Sequence, residues 1–245
     1  MPDFILDEGI KNTFRPFMEE ILSKAGSLVH SVYMTGSALT KNYDPKHSNI
    51  NSILVLHQMD LKLLEWLAPL GKKYGKKRLA APLIMTPAYI QKSLDVFPIE
   101  FLNIKLIHHR LLGDDLFENI EINLSDLRNQ CEREVKVKLI NLWQNYLSAS
   151  GDRKVLTDDF IRSFSGYIPL FRGLILLKGR LPPILNEEVL VELERVTSVN
   201  TMVFKLVLKE KKERKTLSAT ELNTLFEDYH AAMDKLGDIV DAMEL

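Results

Sequence analysis

Apolar residues recur along the first part of the chain at two different spacings. Ile10, Phe14, Phe17, Ile21 and Leu22 step by three or four and predict a helix from about Asp7 to Ala25, with Pro16 inside it as a candidate kink. Leu28 to Thr35 reads as a strand that ends at Gly36. The polar connection after it is punctuated by Tyr43-Asp44-Pro45, and Ile50 to Leu56, short, apolar and β-branched, reads as a buried strand. Leu61 to Tyr74 has helical spacing and runs into a basic turn, Lys72 to Arg78. Leu79 to Met85 predicts a third strand. Thr86-Pro87 has the form of a helix N-cap followed by proline at the first helical position. Phe97 to Leu106 predicts a fourth strand.

After Gly113 the pattern is helical throughout. Leu127, Cys131, Val135, Leu139, Leu142 and Tyr146 form one apolar stripe on a long helix. Phe160, Phe164, Ile168 and Phe171 predict a second helix interrupted at Pro169, and Leu181-Pro182-Pro183 is a firm break. Asn186 to Arg195 and Thr201 to Glu210 read as shorter helices, and Lys209 to Lys215 is a charge run of the kind that forms a solvated helix end. Leu222, Leu225, Tyr229, Met233, Leu236, Val240 and Met243 give a closing amphipathic helix. The expected class is α+β: an α/β domain with a short mixed sheet over residues 1–115, then an all-helical bundle over residues 116–245. Its aromatic and methionine stripes are most simply core.

Charge and cysteine content narrow the function classes. The 245 residues carry a formal net charge of -1, which gives no reason to expect a partner such as nucleic acid, so any phosphate recognition has to come from a local site. The single cysteine, Cys131, excludes an intrachain disulfide or a cysteine-based zinc site and suits a reducing cytoplasm. Met1-Pro2-Asp3-Phe4 has no signal-peptide pattern, and no stretch reaches the roughly 20 apolar residues of a membrane span. A soluble cytoplasmic protein without membrane contact is expected.

The segment with chemical content is Met34-Thr35-Gly36-Ser37-Ala38-Leu39, a polar connection, and then Ser48-Asn49-Ile50-Asn51-Ser52-Ile53. Glycine at the end of a strand lets backbone approach a phosphate, and the serine hydroxyl with neighbouring amides can bind phosphate oxygens. Residues two apart on a strand face the same way, so positions 49 and 51 form a pair. Glu100 lies in the apolar run Ile99-Glu100-Phe101-Leu102, where a lone carboxylate is costly unless a metal or a cation meets it.

This arrangement resembles the polymerase β-type nucleotidyltransferase superfamily, whose signature is a Gly-Ser turn followed by two acidic residues one apart at the start of the next strand. Phe97-Pro98-Ile99-Glu100-Phe101, His108, Gly113-Asp114 and Leu127-Arg128 extend the resemblance to a bacterial branch laid out like the aminoglycoside nucleotidyltransferases, with a helical C-terminal domain. The resemblance implies transfer of a nucleoside monophosphate from a nucleoside triphosphate to a hydroxyl on an unknown small-molecule or protein acceptor. It implies Gly36 and Ser37 at the nucleotide, magnesium as cofactor, and Asn49, Asn51 and Glu100 at the metal positions, with Glu100 as the catalytic carboxylate. A homodimer is among the assemblies allowed.

Both aspartate positions are asparagine, and hard divalent ions favour carboxylates, so two charges are missing where a two-metal mechanism needs them. The chain therefore reads either as a weakened enzyme or as an inactive protein that holds a nucleotide or a partner; a third reading is a helical interaction module with a purely structural α/β domain. Simpler roles stay open for each residue. Gly36-Ser37 is also an ordinary turn, Asn49 and Asn51 can cap a loop, and Glu100 can pair with lysine or arginine. His108 and His109 read as surface or packing residues at a helix or turn, and His47 as a loop residue. Lys72, Lys73, Lys76, Lys77 and Arg78 read as a solvated face, and Cys131 as buried packing.

Overall fold

The computed structural model describes residues 4, 6–164, 166–213 and 218–244. Met1-Pro2-Asp3 and the end of the Lys209–Lys215 charge run lie outside the described residues. The chain divides into two compact units, one of Met1–Asp95 with Phe101–Ile122 and one of Val96–Glu100 with Asn123–Leu245.

The first unit opens with α1 (Glu8–Ala25), started by the Asp7 carboxylate, which accepts from the Gly9 and Ile10 amides. The strands are β1 (Val29–Thr35), β2 (Asn51–Leu56), β3 (Leu83–Met85) and β4 (His108–Leu112), in the order β3-β2-β1-β4. β1 runs antiparallel to β2 and to β4, whereas β2 and β3 are parallel, so the sheet is mixed. Parallel pairing needs a crossover, and α2 (Leu61–Gly75) supplies it. Alternation along the strands separates two faces. Tyr33, Ile53, Val55 and Met85 pack with Ile90, Phe101 and Phe117 on one, and the apolar stripe of α1, with Phe14 and Phe17, meets Val32 and Leu54 on the other. Thr86 caps α3 (Pro87–Lys92) by accepting from the Tyr89 amide, as the Thr-Pro pair predicts.

Two strand expectations change. Phe97 to Leu106 is a helix, α4 (Pro98–Leu106), and the fourth strand is the next segment, β4. A short apolar run does not distinguish strand from helix by periodicity. Here Pro98 opens the helix, where its missing N–H costs nothing, and Glu100 sits in the first turn, where the helix dipole favours an acid. Phe101 and Ile104, three apart, enter the core together. The third strand is shorter than expected: Leu79 makes one bridge to Ile50, and ladder pairing begins only at Leu83, beyond Pro82.

The second unit is helical: α5 (Leu124–Ser148), α6 (Arg153–Phe164), α7 (Tyr167–Leu177), α8 (Asn186–Thr197), α9 (Met202–Glu213) and α10 (Ala219–Asp241). The α5 stripe is buried as expected from Leu127 to Leu142, with Tyr146 half-buried against the Phe226 ring. The break expected at Pro169 is not there. Pro169 belongs to the first turn of α7, where proline is tolerated. Phe164, Tyr167, Phe171, Phe204 and Tyr229 make an aromatic core. Arg172, buried on α7, donates to the Pro183 and Ile184 carbonyls at 3.0 and 2.5 Å, and burial lowers its pKa to about 10. The class is α+β, with a short mixed sheet followed by a helical bundle.

Candidate functional site

β1 delivers the chain to Gly36, whose φ of +79° lies in the left-handed region. The Ile107 carbonyl fixes this point, accepting from the Thr35 hydroxyl at 2.7 Å and from the Gly36 amide at 3.4 Å. A short 3-10 turn, Gly36–Leu39, follows; Ala38 and Leu39 are buried and pin it to the core. The Ser37 carbonyl closes the turn by accepting from the Thr40 amide and hydroxyl at 2.9 and 3.1 Å.

The adjacent strand brings Asn51 to the same place. Thr35 and Asn51 are register partners, and Asn51 Nδ2 lies 3.4 Å from the point a β-carbon on Gly36 would occupy. Asn49 is exposed, Ile50 buried and Asn51 exposed, so the two asparagines share the solvent side as the spacing predicts. The Ser37 hydroxyl and both asparagine amides make no hydrogen bond among the described residues. The loop before them is closed locally: Asp44 accepts from the Lys46 amide at 2.8 Å and from His47 Nδ1 at 2.6 Å. The His47 hydrogen bond is the main reason its carboxyl lies below the usual carboxylate range.

The strand neighbouring β2 on its other side supplies no acid. Met85 shares a core face with Ile53 and Val55, so Leu83 and Ala81 alternate onto the face of Asn51, and both are apolar. Glu100, expected on a strand, is on the exposed side of α4's first turn. Its carboxylate accepts from Gln130 Nε2 at 2.7 Å, while Gln130 Oε1 accepts from the Ile99 amide at 2.8 Å. Its partner is thus a buried neutral amide. Nearby Lys138 has its pKa lowered chiefly by burial, against the opposing pull of Glu134 and Glu100, and its ammonium lies over the Tyr167 ring. Among the described residues, no group of three or more histidine, cysteine or acidic side chains is placed to hold a metal ion.

The other singled-out residues lie outside this site. His108 is buried on β4, not at a helix or turn. Its Nδ1 lies 2.8 Å from the Ile104 carbonyl and its Nε2 3.0 Å from Asp115, which also caps the Phe117 and Glu118 amides. Beside it the Tyr33 hydroxyl donates to the Asp114 carbonyl and accepts from the Leu116 amide at 2.9 Å. Burial is the first cause that raises the Tyr33 pKa. His109, on the same strand, is half-buried. Lys73 pairs with Glu20 at 2.7 Å, and Lys72, Lys76, Lys77 and Arg78 are exposed. Cys131 is fully buried, which pushes its thiol pKa up and suits packing, not attack. Sequence reasoning missed the His108–Asp115 pair, Gln130 and Arg172. Each is a polar residue whose partner is set by tertiary packing, and the only local signal was Gln130 on an otherwise apolar stripe.

No protein-family model and no curated protein sequence matches the chain. Among solved structures, the spectinomycin adenyltransferase AAD(9) from Enterococcus faecialis, crystallised with ATP and spectinomycin, is similar over 92% of this chain and 98% of its own, with a TM-score of 0.56 and 14% sequence identity. The fold is nucleotidyltransferase-like. At that identity the likeness speaks for architecture alone.

Proposed function

We propose that this chain is a nucleotidyltransferase-fold protein that binds a nucleoside triphosphate at the Gly36-Ser37 turn without the two-metal chemistry of the fold's enzymes. The observation that carries the reading is that Ser37, Asn49 and Asn51 are neutral and make no side-chain hydrogen bond among the described residues, with Asn51 beside a left-handed glycine. An asparagine amide carries two N–H donors that can meet a phosphate oxygen directly, where a carboxylate needs a cation between. The residues present do not fit a pair of magnesium ions: Asn49 and Asn51 bring no charge, Ala81 and Leu83 bring none from the next strand, and Glu100 is already held by Gln130. ATP is the first ligand to test, because the neighbour of the same fold was crystallised with it.

Calorimetric titration with ATP, GTP, CTP and UTP, in chelator and in magnesium, tests this. At least one triphosphate should bind in chelator. Asn51→Asp should weaken that binding by about tenfold or more, since a carboxylate replaces a donor beside the phosphates, and magnesium should restore part of it. If no triphosphate binds, or if magnesium with ATP releases pyrophosphate at a hydroxyl acceptor, the binding-protein reading is wrong.

A further inference from the structure

An apolar groove in the first unit lies outside the nucleotide site. It encloses about 250 Å³ between α2 and the segment that leads into β3. Its helix wall is the exposed stripe Leu64, Ala68 and Gly71, where the two small residues keep the groove open. The opposite wall is Ala80, Pro82 and Ile84, alternate positions of one extended segment. An engineered apolar cavity of about 150 Å³ stays dry and takes benzene, so this groove has room for a larger apolar group. Tyr74 is the one lining residue with a polar side-chain atom, and its hydroxyl is taken by Glu20 at 2.7 Å. The lining therefore offers no free hydrogen-bonding side chain to orient a polar ligand.

The chain turns basic where α2 ends. From Gly71 and Tyr74 the chain runs directly into Lys76, Lys77 and Arg78, with Lys72 one residue from Gly71, and all four are exposed. Glu20, the acid at this end, is occupied by Lys73 and Tyr74. Cations at a helix C-terminus complement the dipole, which accounts for Lys72 and Lys73 in the last turn. Lys76, Lys77 and Arg78 follow beyond it. An apolar groove whose lining residues Gly71, Tyr74 and Leu79 are interleaved in sequence with several exposed cations is complementary to a ligand with an apolar tail and an anionic head.

We propose that this groove binds a single-chain anionic amphiphile, the tail between α2 and the Leu79–Ile84 segment and the head at Lys72, Lys76 and Lys77. The inference does not depend on the nucleotide reading. It is tested on the full chain by calorimetry with decanoate below its aggregation concentration, with decanol and decyltrimethylammonium as head-group controls. Decanoate should bind with a stoichiometry of one, more tightly than decanol, and decyltrimethylammonium more weakly than either. Lys76→Glu combined with Lys77→Glu should weaken decanoate on the order of tenfold and leave decanol unchanged, since both lysines are exposed and only the head group senses them. Ala68→Trp should abolish both interactions by filling the groove; if that variant does not fold, the lysine variant decides. Failure of decanoate to bind overturns the proposal. Equal affinity for all three head groups overturns it too, as does binding to anionic phospholipid vesicles with none to monomeric decanoate, or a decanoate affinity indifferent to the lysine reversal.

Discussion

Two glycines at opposite ends of β1 adopt the same backbone state for opposite reasons. Gly36 ends β1 at φ +79° and Gly113 ends β4 at φ +75°. A β-carbon on Gly113 would sit 2.0 Å from the His30 carbonyl oxygen and 2.8 Å from Ser31 Cα, so backbone passes where a side chain would be. A β-carbon on Gly36 would meet only the Asn51 amide, at 3.4 Å. Around Gly113 the polar groups are also closed on one another: Tyr33 takes the Asp114 carbonyl and the Leu116 amide, and His108 takes Asp115. Around Gly36 the Ser37 hydroxyl and both asparagine amides are open among the described residues. One left-handed glycine is required by the fold. The other is set in a surface that the fold leaves free, which is where a ligand is to be sought.

The largest expected effect separates these two directly. Gly113→Ala should cost roughly 3 kcal/mol or more, because His30 and Ser31 backbone must move, and the variant is expected to melt far lower or to fail to fold. Gly36→Ala adds only the left-handed penalty, about 1–2 kcal/mol, a fall of a few degrees at this chain length, yet it should impair triphosphate binding. Melting curves of both variants check this. Similar losses of stability would break the distinction between a clamped glycine and an open one.

A smaller effect concerns the charges absent from the open side. In Asn49→Asp with Asn51→Asp, two carboxylates would share one exposed face and repel each other without a cation. The double variant should melt lower than wild type in chelator, by about 1 kcal/mol, and recover with millimolar-range magnesium, because a ligand of the folded state stabilises it. Added ATP should enlarge the recovery, and wild type should respond little to magnesium alone. With Ala81 and Leu83 apolar, magnesium affinity should stay weak even in the variant. Equal magnesium shifts in the two proteins would show that residues 49 and 51 do not stand at metal positions.

How far the sequence carried this picture depended on whether a feature was local. The α5 stripe from Leu127 to Leu142, the Thr86-Pro87 helix start and the Gly36-Ser37 turn are written in neighbouring residues, and each was legible. Phe97 to Leu106 was not: its apolar run fits a strand or a helix, and the helix is favoured by Pro98 at its start together with the packing of Phe101 and Ile104 beside Tyr33 and Ile53. That one ambiguity moved Glu100 from an expected strand to a helix N-terminus and hid β4 in the polar segment His108-His109-Arg110. Asn49 and Asn51 are both exposed with Ile50 buried between them, a period of two that is local. The missing acid on the adjacent strand could be recognised only once pairing showed that Leu83 and Ala81, distant in sequence, are the relevant neighbours.

The smallest expected effect tests how the open side is held. The loop between Ser37 and Asn49 is ordered by Asp44, through the Lys46 amide and His47, and all of these side chains face solvent. Exposed contacts of this kind contribute little to global stability. Asp44→Ala should therefore leave the melting temperature nearly unchanged while it speeds hydrogen exchange at the Lys46 amide. Asp44 is held below its usual value of 3.8, first by the His47 hydrogen bond. An acid whose pKa falls on folding stabilises the fold above its unfolded value and loses that contribution as pH falls through the folded value. The protection of the Lys46 amide in wild type should thus be constant from neutral pH down to about 4, as the ordinary value implies, and should fall towards that of Asp44→Ala below it. If Lys46 is equally protected in wild type and variant at neutral pH, Asp44 does not order the loop. The open side would then be rigid for the same reason as the Gly113 side, through its own packing, and the contrast between the two glycines would reduce to sterics alone.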